Sequence, residues 1–146
     1  MWPPNFKTVQ DLQEAADIIN RPHEDYPMRV SKTNQLILAV SSLESVIDSL
    51  LVKQIHSVVM WDLPDRGAWR KWNVRVGYHI PPDHLEIPRL MEMLLPQTPS
   101  TREELERFYI DFETIHPFSD GNGRVGGIVI ASFHKQLFDS YLVSGT

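Results

Sequence analysis

Apolar residues at helical spacing predict that most of this chain is α-helical. A first helix is expected over residues 8–20, and a loop over 22–28 follows because Arg21-Pro22 stops the helix. The next helix is predicted to be long. Its apolar residues recur at steps of four and three and therefore share one face: Leu36, Val40, Leu43, Ile47 and Leu50. The same pattern can continue through Ile55 and Val59.

Three further helices are predicted in the second half of the chain. The first covers residues 85–95 and ends before Pro96. The second begins at a cap, either Ser100 or Thr101, and ends at His116, because a following proline disfavours helical geometry. Its buried stripe is Leu105, Phe108, Tyr109 and Phe112. The last begins near residue 122 or 123 and buries Val125, Ile128, Val129 and Phe133.

One short segment has the alternating pattern of a β-strand. Its apolar positions are Trp72, Val74, Val76 and Tyr78. Polar residues or glycine separate them, and Pro81-Pro82 ends the segment. The sequence therefore predicts a mostly α fold with a small β-hairpin.

Composition indicates one soluble domain over residues 1–146. The chain is 42% hydrophobic and 23% charged, and its net charge of −5 argues against general nucleic-acid binding. No apolar run approaches the roughly 18 residues that span a bilayer, so no membrane partner is expected. With no cysteine, disulfides are excluded and a reducing compartment is permitted. A cytoplasmic location is favoured, and delivery into another cell as an effector stays open.

The candidate chemistry lies in one nine-residue run that precedes the last predicted helix. The run is His116, Pro117, Phe118, Ser119, Asp120, Gly121, Asn122, Gly123 and Arg124. Two glycines allow close backbone approach to a ligand, and the helix start favours an anion. Arg124 adds a forked cation for phosphate oxygens. Asp120 would suit a Mg²⁺ ion shared with that phosphate, and His116 could accept a proton.

Besides a phosphate site, this run has two other interpretations: a plain turn, which stays open, and a calcium-binding loop, which does not fit. Asn-Gly is common in plain turns, and the residue types alone do not decide between the two. A calcium-binding loop is excluded, because Arg124 stands where an oxygen ligand belongs and no glutamate closes the loop. Phe118 is expected to point into the core and fix the loop.

The run resembles the signature of the Fic family, His-x-Phe-x-Asp/Glu-Gly-Asn-Gly-Arg-x-x-Arg, through its first arginine. Residues 109–115 are similar to the helix that leads into the Fic loop. Residues 69–76, followed by Pro81-Pro82, resemble the β-hairpin flap of that family, and residues 87–91 resemble the helix after it. The likeness covers roughly residues 35–140. We therefore place the Fic core at residues 31–140, after an irregular or helical lead-in over residues 1–30.

The resemblance implies a nucleotidyltransferase, most often one that transfers AMP from ATP, with Mg²⁺, to a Ser, Thr or Tyr hydroxyl of a target protein. It implies that His116 is the base and that Asp120 holds Mg²⁺. The expected phosphate-binding residues are Gly121, Asn122, Gly123 and Arg124. The flap residues expected to dock the target by strand pairing are Val74, Arg75, Val76, Gly77 and Tyr78.

The chain departs from the family pattern in three places. Gly127 stands where the second arginine, which grips the outer phosphates of ATP, is expected. No full match to the inhibitory motif Ser/Thr-x-x-x-Glu-Gly/Asn is present, since residues 40–45 keep only Glu44 and residues 100–104 are better explained by capping. We therefore expect either no intramolecular inhibition or a separate antitoxin-like inhibitor. Only enough chain for one helix follows Arg124, so the core is interpreted as short at its C-terminus.

These departures leave three functional hypotheses. The first is AMP transfer from ATP to a protein, the second is a Fic transferase that uses another donor, and the third is a catalytically silent nucleotide-binding fold that acts by binding a partner. Four other histidines have no metal-ligand spacing: His56, His79, His84 and His134. Of these, His79 and His84 are interpreted as surface residues.

Overall fold

Four complete α-helices and part of a further helical segment are described in the protein, which is a computed structural model. It describes residues 33–34, 37–38, 40–41, 47–95 and 98–138, so the helix predicted over 8–20 and the loop at 22–28 lie outside the described residues. The helices are α1 Ser49–Val59, α2 Ile87–Leu94, α3 Arg102–Ile115 and α4 Asn122–Phe138, with a single 3-10 turn, His84–Glu86, before α2. The described residues among 33–41 are also helical. The prediction of a mostly α fold is confirmed.

The predicted second helix does not continue unbroken through Val59. Asp48 has extended geometry (φ −115°, ψ 179°), and its side chain accepts a hydrogen bond from the Leu51 N–H at 2.9 Å. Aspartate favours this capping geometry over a helix interior, so a new helix begins at Ser49. The restart changes which side chains face the core: Leu50 is 65% exposed, whereas Val52 is fully buried.

α4 is the central helix, because it is buried on nearly every side from residue 125 to 134. It packs against α1 and α3, and α2 packs against α3. A Cβ placed on Gly126 would lie 2.9 Å from Tyr109 Cε1, so glycine is required where α3 and α4 approach most closely. The core comprises residues from all four helices and from the loop before α4.

The capping predictions for α3 are confirmed. Thr101 is the N-cap, and its hydroxyl accepts a hydrogen bond from the Glu104 N–H at 3.1 Å. The Glu104 carboxylate accepts in return from the backbone N–H and the hydroxyl of Ser100, at 2.9 and 3.0 Å. α3 ends at His116, as the proline after it predicts.

The segment that alternates in sequence is not a regular strand. Val76 and His79 exchange two backbone hydrogen bonds of 2.9 Å and form an isolated antiparallel bridge around a two-residue turn. Within the described residues this bridge is the whole of the β-structure. A hairpin flap therefore remains a prediction beyond this one pair. None of the described helices combines the length and apolar character needed to cross a membrane.

Candidate active site

The loop between α3 and α4 places His116 in a strained backbone conformation. His116 is the C-cap of α3, with φ 52° and ψ 63°, and its N–H donates to the Phe112 carbonyl at 3.1 Å. Among the described residues it is the one non-glycine residue with positive φ. Such a conformation costs on the order of 1–2 kcal/mol, so surrounding contacts must hold it in place.

The imidazole of His116 favours its neutral form. The residue is half-buried, and burial is the main reason that its pKa lies below the usual 6.5. The positive charges of Arg70 and His79 lower the pKa further, while the Asp120 carboxylate opposes them. A neutral imidazole at pH 7 can accept a proton from an attacking hydroxyl.

The start of α4 presents backbone donors toward the loop. The first intrahelical bond runs from the Val125 N–H to the Gly121 carbonyl at 3.0 Å. The N–H groups of Asn122, Gly123 and Arg124 therefore precede the first rung of the helix ladder. Together with the helix dipole they form a site suited to a phosphate.

Both the backbone conformation and the packing at the start of α4 require glycine at position 121. Its φ of 83° is unfavourable for any other residue type, and a Cβ there would lie 2.7 Å from Cγ and 2.8 Å from Sδ of Met60. Met60 also contacts Arg124, whose Nη1 lies 3.6 Å from the sulfur. The methionine thus packs beneath the loop and against its guanidinium.

Asn122 closes the loop with its side chain. It is buried, its Oδ1 accepts from the Phe118 N–H at 2.8 Å, and its Nδ2 donates to the Phe118 carbonyl at 2.9 Å. Both polar atoms of the Asn122 side chain are therefore used in bonds within the loop. What Asn122 can offer a phosphate is its backbone N–H.

Asp120 is exposed at the edge of the same loop. Its Oδ1 accepts from the Gly121 N–H at 2.8 Å. Across the described residues no group of three or more His, Asp or Glu side chains gathers to hold a metal. A cation here would be held by one carboxylate and by the oxygens of a bound phosphate and water. That donor set fits Mg²⁺, which keeps several waters and is commonly held in this way.

A buried histidine that the sequence did not identify supports the loop from below. His56 of α1 is fully buried, and its ring stacks on Phe118 with centroids 3.8 Å apart. Its Nδ1 accepts from the Gly67 N–H and its Nε2 donates to the Asp120 carbonyl, both at 2.9 Å. Accepting at one nitrogen and donating at the other requires the neutral ring. Burial, the largest cause, lowers the pKa of His56 accordingly.

The residues between α1 and position 72 are bonded to the loop between α3 and α4, residues 116–121, at several further points. The Ser119 hydroxyl donates to Asp65 Oδ2 at 2.7 Å, and the Arg70 N–H donates to the Pro117 carbonyl at 2.8 Å. Phe118 is fully buried and also contacts Trp69, with ring centroids 5.1 Å apart. These contacts fix the position of the loop against the body of the protein.

The flap, defined here as residues 72–82, lies next to α3. His79 donates from Nε2 to the carbonyl of Thr114, the next-to-last residue of that helix, at 2.9 Å. At the turn, Arg75 Nε donates to the Gly77 carbonyl at 2.9 Å, and Tyr78 is fully exposed. Val76 is 44% exposed and Val74 is partly buried. His79 is exposed, and His84 is partly buried.

A family comparison identifies this arrangement. The model of the Fic/DOC family matches residues 46–134, which is more than half of the chain. The chain belongs to the Fic/DOC family. Fic/DOC proteins generally transfer nucleoside monophosphates to proteins. The match includes α1, residues 72–82, the loop between α3 and α4 and the first three turns of α4.

In this Fic/DOC protein the second signature arginine is replaced by a buried glycine. Gly127 lies inside α4, one turn beyond Gly123, and is buried. Position 127 therefore supplies no cation to a bound nucleotide. The segment from Ser100 to Glu104, which resembles half of the inhibitory motif, is occupied by its capping bonds at the start of α3.

Proposed function

We propose that this Fic/DOC protein transfers AMP from ATP to a Ser, Thr or Tyr hydroxyl of a target protein. The observation that carries the proposal is the pairing of two features in one rigid loop. A neutral imidazole, His116, stands at one end, and the unpaired donors at the start of α4 stand at the other. A nucleotidyl transfer needs a base for the attacking hydroxyl and donors for the phosphate under attack.

The residues of the chain divide the work between binding and proton transfer. The N–H groups of Asn122 and Gly123 and the Arg124 guanidinium bind phosphate oxygens, and they stabilise the negative charge that builds up during transfer. His116 takes the proton of the target hydroxyl. The buried contacts of Phe118 and Asn122 keep these groups at a fixed separation, which lowers the entropic cost of reaching the reactive geometry.

The reaction balances as follows. The target hydroxyl oxygen forms a bond to the α-phosphorus of ATP, and the bond from that phosphorus to the β-phosphate oxygen breaks. The proton of the hydroxyl goes to His116, and pyrophosphate leaves with the bonding electron pair. Asp120 would hold Mg²⁺, which when bound neutralises charge on the phosphates.

The target segment is proposed to dock on the flap, next to His116. The exposed turn at Gly77 and Tyr78 offers backbone for pairing with an extended peptide. Such pairing reads main chain more than side chains, so it can accept several target sequences. A separate antitoxin-like inhibitor and a cytoplasmic site of action belong to the same proposal.

The alternative proposals rest on Gly127. Without a cation at that position, the outer phosphates of ATP lose one expected contact, so a different nucleotide donor is the second candidate. A silent nucleotide-binding fold that acts by binding a partner is the third. We favour transfer, because one loop keeps together a base at His116, a carboxylate at Asp120 and the backbone donors at the start of α4.

A labelling experiment separates the three candidates. Purified protein is incubated with cell lysate, Mg²⁺ and each of the four nucleoside triphosphates carrying a label on the α-phosphate. We expect labelled protein bands with ATP, and their loss in His116→Ala but not in the control His84→Ala. Bands with another donor only would select the second candidate. No bands with any donor, despite measurable nucleotide binding, would select the third and contradict the proposal.

A further inference from the structure

Arg70 is the most deeply buried charged side chain described, and it lies between the flap and residues 116–121, the proposed catalytic loop. It is 2% exposed. Its Nε donates to the His116 carbonyl at 2.7 Å, and one Nη donates to the Ile115 carbonyl at 3.3 Å. Both acceptors belong to the last residues of α3. A buried cation costs several kcal/mol unless it is well bonded, so its placement here calls for an explanation.

The same guanidinium also bonds both ends of the flap. Nη1 donates to the Trp72 carbonyl at 3.0 Å, and Nη2 donates to the Pro82 carbonyl at 2.6 Å. Residues 72 and 82 are the two points at which the flap leaves and rejoins the body of the protein. The planar, forked shape of a guanidinium suits simultaneous bonding of several acceptors, and a lysine ammonium cannot reproduce it.

We propose that Arg70 is a positioning residue that sets the flap in register with His116. The inference rests on the proposed function. A target hydroxyl reaches the base only if the docked segment and the imidazole are correctly spaced, and Arg70 bonds the backbone of both. Its bond to the His116 carbonyl also holds the left-handed backbone conformation that aims the imidazole.

Two further observations fit this role. The Arg70 N–H donates to the Pro117 carbonyl at 2.8 Å, so backbone and side chain of one residue hold consecutive peptides of the loop. His79, at the other side of the flap turn, bonds the Thr114 carbonyl. The flap is thus bonded to the end of α3 in two places: through Arg70 at residues 72 and 82, and through His79 after the turn. The positive charge of Arg70 also helps to lower the pKa of His116, after burial.

The kinetic test uses Arg70→Lys, with Arg107→Lys as the matched control on an exposed arginine of α3. Arg70→Lys keeps the positive charge but removes the planar guanidinium with its several N–H donors. We expect kcat to fall on the order of 10²-fold, which is typical of an ångström-scale misplacement, and the KM for the target to rise. The dissociation constant for the nucleotide should not change, because no Arg70 bond reaches the start of α4. Arg107→Lys should match the wild type.

Two results would overturn the role. One is a folded Arg70→Lys protein with wild-type kcat and KM. The other is a loss of nucleotide affinity equal to the loss of turnover, since Arg70 would then support the whole site and not the register of flap and base. Thermal unfolding of both variants establishes that each is folded before it is assayed.

A second measurement tests the arrangement in the wild-type protein and needs no activity. In an NMR spectrum the side-chain N–H protons of Arg70 should exchange with water far more slowly than those of Arg107, which serves as an internal reference. Equal exchange rates would overturn the proposal even if transfer is established. Slow exchange at Arg70 without transfer by the wild type would instead count against the proposed function while leaving the Arg70 bonds in place.

Discussion

The ring of His56 lies parallel to that of Phe118, with 3.8 Å between centroids and 5° between planes. One residue comes from α1 and the other from the catalytic loop, so the stack joins the two. The hydrogen bonds of His56 to Gly67 and Asp120 extend the same connection to both edges of the ring. The stacked His56 ring and its two hydrogen bonds therefore hold the loop against α1.

Two substitutions of His56 should therefore separate the contribution of its hydrogen bonds from that of its ring packing. His56→Phe keeps the stack but leaves the Gly67 N–H and the Asp120 carbonyl without their partner, at a cost of about 1–3 kcal/mol. His56→Ala also leaves a cavity beneath Phe118 and should cost about 3–5 kcal/mol. Urea unfolding measures both. A His56→Phe protein as stable as the wild type would show that the hydrogen bonds contribute nothing.

The sequence predicted the helices of the second half of the chain because their stripes and caps are local. Leu105, Phe108 and Phe112 are buried, and Thr101 caps α3, as the pattern indicates. The break before α1 was missed because an apolar stripe can run on through an N-cap, and only the backbone geometry of Asp48 shows the restart.

The supporting residues of the site were harder to predict than the loop itself. Arg70 and His56 bond mainly to backbone groups far away in the sequence, and no local motif reports such contacts. One signal was available for His56: it lies one turn after the apolar Val52, on the face of α1 that is buried. A histidine on an apolar face indicates a buried, bonded imidazole.

Gly121→Ala should cost more than Gly77→Ala. Both glycines have positive φ, 83° and 60°, so both substitutions strain the backbone by about 1–2 kcal/mol. Only the Cβ at position 121 collides with Met60, whereas nothing lies within 4 Å at position 77. The collision should add about 1–3 kcal/mol. Denaturation of the two variants, and of Gly121→Ala combined with Met60→Ala, measures the difference.

The Met60 combination is the decisive comparison for Gly121. If the collision is real, Gly121→Ala costs less in the Met60→Ala background than in the wild type, so the double-mutant cycle shows coupling. Strict additivity of the two substitutions would contradict the close packing of Met60 beneath the loop.

Stability should fall as the pH rises through the titration of Glu113. Burial raises the pKa of this carboxyl to about 7, and the nearby Tyr109 hydroxyl offsets only part of the effect. The folded protein then binds more protons than the unfolded chain between pH 4.5 and about 7. The stabilising contribution is complete below pH 4.5 and is lost toward pH 7, by about 1.4 kcal/mol for each tenfold change in acidity constant.

Glu113→Gln tests this assignment, because glutamine stays neutral at every pH. The variant should lack the wild-type loss of stability over that pH range and should be the more stable protein above pH 7. Thermal melts across a pH series provide the measurement. Parallel profiles for wild type and variant would show that Glu113 titrates normally.

The pH dependence of transfer should reflect a base with a pKa below 6.5. His116 is active when neutral, and burial together with nearby positive charge lowers its pKa. The value of kcat/KM for the nucleotide, which reflects the free protein, should therefore rise with pH and reach half its maximum below pH 6.5. An NMR titration of the His116 ring, assigned by its absence in His116→Ala, gives the same midpoint independently. A midpoint above 6.5 would contradict the environment described for the imidazole.

The transfer reaction itself is tested by the intact mass of the purified protein and of a captured target after incubation with Mg²⁺ and ATP. We expect a gain of one AMP in the wild-type reaction and none with His116→Ala, while both proteins bind the nucleotide equally. Equal gains with wild type and His116→Ala would contradict the role of His116 as the base. A target that is labelled in lysate but gains a mass other than that of AMP would contradict ATP as the donor.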